Sequence, residues 1–238
     1  MRRTGGRGGQ VSTASTCHLQ EKLYWCIEDL ITAAEKAGVK IHLGREVTAP
    51  ELAAMRPYAV ITTTSGRPLK PRSIPGLDGE KVFTAPEIIL GEKMIRNSRV
   101  AVIGSGMTGL ETAEILCTQG NKVTVVEMAP EIAPGTWFQL VDDVMSRIAP
   151  YGAQFKTGTK LLAVEDGRIV TQDTKTGKNS EMETDYVVLS LGVRPEDGLA
   201  KELEELEIKN VYRAGDAIHS GTIADACHSA YDTAMSIH

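Results

Sequence analysis

Three observations predict an α/β fold organised around a parallel sheet. The first is the run RVAVIGSGMTGLETAEILCTQGNKVTVVE at 99–127, where an apolar strand, a glycine-rich turn, a helix and a second apolar strand follow in order. That order within about 30 residues is a βαβ unit, whose strands lie parallel and whose crossover is right-handed. The second is that strand patterns alternate with helical ones through much of the chain. The third is the Pro- and Gly-dense stretch GRPLKPRSIPGLDGE at 66–80, a composition that suits a crossing between two domains.

The elements follow from local pattern. Residues 1–18 are rich in Gly, Ser and Thr and read as loop. Over 20–37, Leu23, Cys26, Ile27, Leu30, Ile31 and Ala34 recur at helical spacing, and Gly38 ends that helix. Val39 to Leu43 reads as a short strand. A helix starts after Thr48 with Pro50 in its first turn, and Tyr58 to Thr62 is the next strand. Arg99 to Ile103 and Lys122 to Glu127 are strands around a helix at 107–119, and 136–149 is amphipathic. Period-two patterns then cover Lys160 to Val164, Arg168 to Gln172 and Met182 to Ser190, punctuated by Asp166-Gly167 and Thr176-Gly177. Tyr186 to Leu191 is the buried end of this excursion. A helix near 198–206, a strand Asn210 to Tyr212 and a helix from about Thr222 close the chain.

Composition narrows the function classes. The 238 residues are 42% hydrophobic, enough for one or two ordinary cores. A net charge of −5 argues against a broad nucleic-acid interface, which needs a basic surface. No segment reaches the ~18 apolar residues that span a bilayer, and no apolar stretch follows Arg2 and Arg3 as a secretory signal requires. Cys17, Cys26, Cys117 and Cys227 form no CxxC pair, so the expectation is four reduced thiols in a cytoplasmic protein, with no metal site. His18, His42, His219, His228 and His238 show no metal-ligand spacing and read as surface or structural residues. Trp25 and Trp137 read as packing residues, and KELEELE at 201–207 as a solvated helix face.

The glycine turn carries the chemistry. Gly104 allows a tight strand-to-helix turn, Gly106 lets a pyrophosphate approach the backbone, and Gly109 lets helix and strand pack closely. Met107 and Thr108 sit where backbone N–H groups face an anion at the positive end of the helix. Glu127 ends the second strand. A carboxylate there accepts from a ribose 2′-OH and repels a 2′-phosphate, which predicts NADH over NADPH.

Taken together, the motifs resemble those of the two-dinucleotide-binding-domain flavoproteins, the pyridine nucleotide–disulfide reductase superfamily. The particular likeness is to the C-terminal half of NADH:flavin oxidoreductases of the Old Yellow Enzyme type, such as 2,4-dienoyl-CoA reductase, from about Gly8 onward. GSGMTGLETA at 104–113 is similar to the pattern GxGxxGxExA, which adds Glu111 to the NAD(H) set. GVRP at 192–195 resembles a loop closing over the NAD domain, and so adds Gly192. For FAD, the resemblance implies Gly9 and Gln10 (GGQ at 8–10), Thr64 (TTSGRP at 63–68), Gly215 and Asp216 (VYRAGDA at 211–217), and Ile223 (IADA at 223–226). His219, just beyond the GD pair, would face a flavin.

The resemblance therefore implies two Rossmann-like domains: a complete NAD(H) domain at 66–204 inserted in an FAD domain at 1–65 and 205–238. It also implies a parent enzyme with a catalytic barrel holding FMN and an iron–sulfur cluster. Departures are specific. Only seven residues precede Gly8, where a βαβ unit of about 30 residues would grip the FAD pyrophosphate, and Ser65 stands where the pattern has glycine. The expectation is an N-terminally truncated fragment with weak or no FAD binding, not a complete catalyst, that self-associates through an incomplete sheet. Two rivals stand beside it: a stand-alone NAD-binding module that senses or regulates, and a structural ADP-binding domain without redox activity.

Overall fold

The computed structural model describes residues 9–17, 20 and 22–237. Along the chain, the helices are α1 (Gln10–Ala14), α2 (Leu23–Lys36), α3 (Ala49–Ala54), α4 (Ala85–Ile89), α5 (Met107–Thr118), α6 (Phe138–Ile148), α7 (Gly198–Glu205) and α8 (Ile223–Met235). The strands are β1 (Val60–Thr62), β2 (Gly66–Pro68), β3 (Val82–Thr84), β4 (Arg99–Ile103), β5 (Lys122–Val126), β6 (Gln154–Lys156), β7 (Thr159–Glu165), β8 (Arg168–Asp173), β9 (Asn179–Glu183), β10 (Tyr186–Leu189), β11 (Val193–Pro195) and β12 (Val211–Arg213). The chain divides into two units: the described residues of 16–19 and 69–191, and those of 1–15, 20–68 and 192–238.

The 69–191 unit is an α/β layer structure. Its five-stranded sheet has the order β3-β10-β4-β5-β6, and every pairing is parallel. Period-two alternation sends successive side chains of β4 to opposite faces. Val100 and Val102 meet Leu110, Ala113 and Leu116 of α5 and Val144 and Ile148 of α6. Ala101 and Ile103 face the other way, with Leu161 and Ile169 of the antiparallel sheet β7-β8-β9. Helix α6 is tied to α5 by Arg147, whose Nε and Nη2 donate to the Glu114 carboxylate at 2.7 and 3.1 Å.

The other unit contains two short strand pairs, β1 with β12 in parallel and β2 with β11 antiparallel. Two of its helices begin with complete capping boxes, Thr48 with Glu51 at α3 and Thr222 with Asp225 at α8. Helix α7 packs on α3 and β12. Residues 66–68 and 192–204 thus group with this unit, through the β2–β11 pair and the α7 contacts, and not with the 69–191 sheet as sequence suggested.

Several local readings need correction. Residues 10–14 form α1 where a loop was expected. Residues 39–42 form no strand, since among the described residues they find no partner. The single run expected over 182–190 divides: β9 ends at Glu183, Thr184 Oγ1 donates to the Arg99 and Tyr186 carbonyls, and β10 enters the parallel sheet. Strands β3 and β6 had no recognisable pattern. Trp25 and Trp137 are 63% and 77% exposed, so neither is a core residue.

Candidate dinucleotide site

The site is built where β4 turns into α5. Each glycine of the turn meets a different environment. Gly104 has φ +102°, and a Cβ there would lie 2.3 Å from the Ser190 carbonyl oxygen. A Cβ on Gly109 would lie 2.2 Å from the Gly104 carbonyl oxygen. These two are needed by the fold itself: one by backbone conformation and close approach to β10, the other by the contact of helix and turn. Gly106 differs. Its φ is −55°, which any residue adopts, and a Cβ would meet nothing within 4 Å. No neighbouring protein atom requires this position to be bare, as a cradle that a ligand must approach closely would require.

Met107 and Thr108 open α5, where helix geometry leaves the first N–H groups without intrahelical acceptors. Met107 is half-buried against the core, and Thr108 is exposed with its carbonyl accepting from Thr112 Oγ1 at 2.6 Å.

Glu127 follows β5 directly and is held in place. Its Oε2 accepts from Ser105 N and Ser105 Oγ, each at 2.8 Å, and its Oε1 accepts from Ala129 N at 2.8 Å. Ser105 Oγ accepts in turn from Ala133 N at 2.9 Å. Glu127 is legible in the sequence as the acid that ends a strand; Ser105 is a residue that pattern alone does not single out. The available signal was a hydroxyl residue directly after the first glycine, facing an acid at the end of the next strand.

Glu111 is buried on α5, and its carboxylate accepts from the Cys17 thiol at 3.7 Å. Burial, then the Glu111 charge, pushes Cys17 up to about 12, so this thiol stays protonated at neutral pH. Cys117 is pushed up to about 11 by burial and by Glu114. All four cysteines are free, and among the described residues no cluster of three or more His, Cys, Asp or Glu could hold a metal ion.

The other expected cofactor residues lie in the second unit. Gly192 precedes β11 with φ +82°. Gly9 caps α1 at φ 61°, and Gln10 is the first residue of that helix. Thr64 Oγ1 donates to the Glu196 carbonyl. Gly215 N donates to Ser229 Oγ at 2.8 Å, and Asp216 Oδ1 accepts from Gly221 N at 3.2 Å. Ile223 begins α8 and is 41% exposed. Gly215 and Asp216 share a hollow of about 20 Å³ with His219 and Ser229, room for about one water molecule. Gly8, His18 and His238 lie outside the described residues. The turn at 104–109 with Glu127 fits a dinucleotide. The described 215–229 hollow does not by itself fit a flavin.

Residues 32–233 match the family model of the pyridine nucleotide-disulphide oxidoreductases. The chain belongs to this family. It is 34% identical over 238 residues to an NADH oxidase of Thermoanaerobacter brockii, covering 97% of this chain and 36% of that protein. It is 32% identical over 191 residues to a bilirubin reductase of Mediterraneibacter gnavus, covering 79% of this chain and 29% of that one. Among solved structures, a 2-naphthoyl-CoA reductase complex superposes with TM-score 0.89 at 25% identity, covering 99% of this chain and 35% of that one. The T. acidophilum thioredoxin reductase gives 0.57 at 20% identity over 75% of this chain and 63% of that one, a likeness of fold alone. The chain spans about a third of the length of these two curated relatives. The family is one of FAD- and NAD(P)H-binding oxidoreductases, and the α/β fold with its parallel sheet agrees with it. Among the described residues, no helix is long and apolar enough to cross a membrane.

Proposed function

We propose that this chain is the NAD(H)-binding part of a flavin-dependent NADH oxidoreductase, with the pyrophosphate over Gly106 and the adenosine ribose at Glu127. The observation that carries the reading is the bare space at Gly106 beside a carboxylate already fixed at the end of β5. Bound NADH would supply a hydride to a flavin. The chain's own residues bind and orient: α5 presents N–H groups to the phosphates, and Glu127 accepts from ribose and repels a 2′-phosphate. The likeness to an NADH oxidase supports the choice of NADH. The remaining strand pairs, each strand with a single hydrogen-bonded neighbour among the described residues, support self-association through their edges, to be read by sedimentation velocity.

A second reading is favoured by one observation. The bare Gly106 beside a fixed Glu127 would equally serve a module that binds NAD or ADP without redox activity.

Gly106→Val tests the site. A Cβ at 106 meets no protein atom within 4 Å, so the chain should stay folded, with only a small fall in melting temperature from the poorer N-cap of α5. The NADH Kd, followed by nucleotide fluorescence, should rise more than tenfold. Unchanged NADH binding in a folded Gly106→Val chain would contradict the proposal.

A further inference from the structure

We infer that Ser105 is a specificity-determining positioning residue: it holds Glu127 rigid, and that rigidity sets the preference for NADH over NADPH. The inference rests on the dinucleotide reading above. Ser105 is fully buried, so no water competes for its hydroxyl. Its Oγ accepts from Ala133 N at 2.9 Å, which leaves its single proton for Glu127 Oε2 at 2.8 Å. The backbone N–H of Ser105 reaches the same oxygen, and Ala129 N–H holds the other. The far end of the chain of bonds is also fixed, because Ala133 is buried and sits at φ 47°, a left-handed conformation uncommon for alanine.

A carboxylate has about four acceptor positions. Three are occupied by protein donors, so Glu127 can accept one ribose hydroxyl without rearrangement. An unanchored glutamate would rotate away from a 2′-phosphate and tolerate it. Here rotation would strip the fully buried Ser105 hydroxyl of its acceptor, which is costly. The acid therefore stays and repels.

The test measures Kd for NADH and for NADPH on the whole chain as the parent, Ser105→Ala, Ser105→Cys, Glu127→Gln and the Ser105→Ala/Glu127→Gln double variant. Both nucleotides report on the same folded fraction, so their affinity ratio is insensitive to partial unfolding. Ser105→Ala should lower the preference for NADH by about tenfold. Ser105→Cys, which fills the space with a weak donor, should move it the same way and covers the case in which alanine does not fold. In the Glu127→Gln background, Ser105→Ala should leave the ratio unchanged, because Ser105 acts through the carboxylate. An unchanged ratio in Ser105→Ala, or a further fall in the double variant, would overturn the inference alone. A parent chain that binds neither nucleotide would overturn the dinucleotide reading, and the inference with it.

Discussion

The helices α5 and α2 are close in length and both were legible as helices in sequence, yet they end in different environments. In α5, eight of twelve residues are buried, including Leu110 and Leu116, because a five-stranded sheet lies under the helix. In α2, Ile27 is the buried residue of fourteen, and Leu30 is 59% exposed. The same contrast holds for the units as wholes. Both core clusters belong to the 69–191 unit, although it exposes Trp137 and Phe138 at the start of α6, whereas the other unit has no such cluster among the described residues and exposes Tyr24, Trp25, Val39, Tyr58, Tyr231 and Met235. A helical apolar stripe states a demand for a partner surface; only the sheet beneath α5 meets it. Stability is therefore expected to be concentrated in the unit that carries the dinucleotide site.

The sharpest way to break this comparison is to truncate one apolar side chain in each unit. Ile148→Ala removes a fully buried side chain from α6 and should cost about 2–5 kcal/mol in chemical denaturation. Leu30→Ala should change stability by less than about 0.5 kcal/mol. Equal losses would mean that α2 is as firmly packed as α6, contrary to its exposure.

A smaller effect concerns Ser65. It holds φ 69° where the family pattern has glycine, so the left-handed backbone is kept at the expense of strain. Ser65→Gly should therefore stabilise its unit by about 1 kcal/mol, seen as slower hydrogen exchange at β2 and β11. A destabilised variant would show that the serine side chain contributes more than its backbone costs.

The smallest effect is acid sensitivity in the 69–191 unit. Hydrogen bonds from the Arg99 side chain and then its backbone N–H hold Asp185 down at about 2. Because the folded value lies below the ordinary carboxylate value, the stabilisation is complete above about pH 4 and is lost as pH falls through 2. Asp185 is partly exposed, so the term should stay under about 1 kcal/mol. Asp185→Asn should flatten the fall in stability between pH 4 and pH 2; an unchanged acid limb would remove Asp185 from the account.

How much was legible follows from where each signal resides. Strand β4 and helix α5 were readable to within a residue, since a five-residue apolar strand, three glycines and a helical stripe are all local. Strand β3 is three residues long and exists because β10 lies beside it. Residues 39–42 show the reverse: strand-forming residues that form no strand where, among the described residues, they find no neighbour. Trp137 looked like a packing residue because tryptophan usually is one, yet it stands exposed at the start of α6. In the site, Gly104, Gly106, Gly109 and Glu127 could be named from spacing. For Ser105 the sequence offers only a hydroxyl directly after the first glycine, because its role depends on a carboxylate 22 residues away and on a left-handed Ala133.

The most direct test of the central claim is thermal unfolding of the whole chain with NADH, NADPH, ADP and FAD added separately. A ligand that binds only the native state raises the melting temperature by mass action. A rise is expected with NADH, little with NADPH, a smaller rise with ADP and little with FAD. Strong stabilisation by FAD with none by NADH would contradict it, because the turn at 104–109 and the fixed Glu127 would then not be the site that the fold serves.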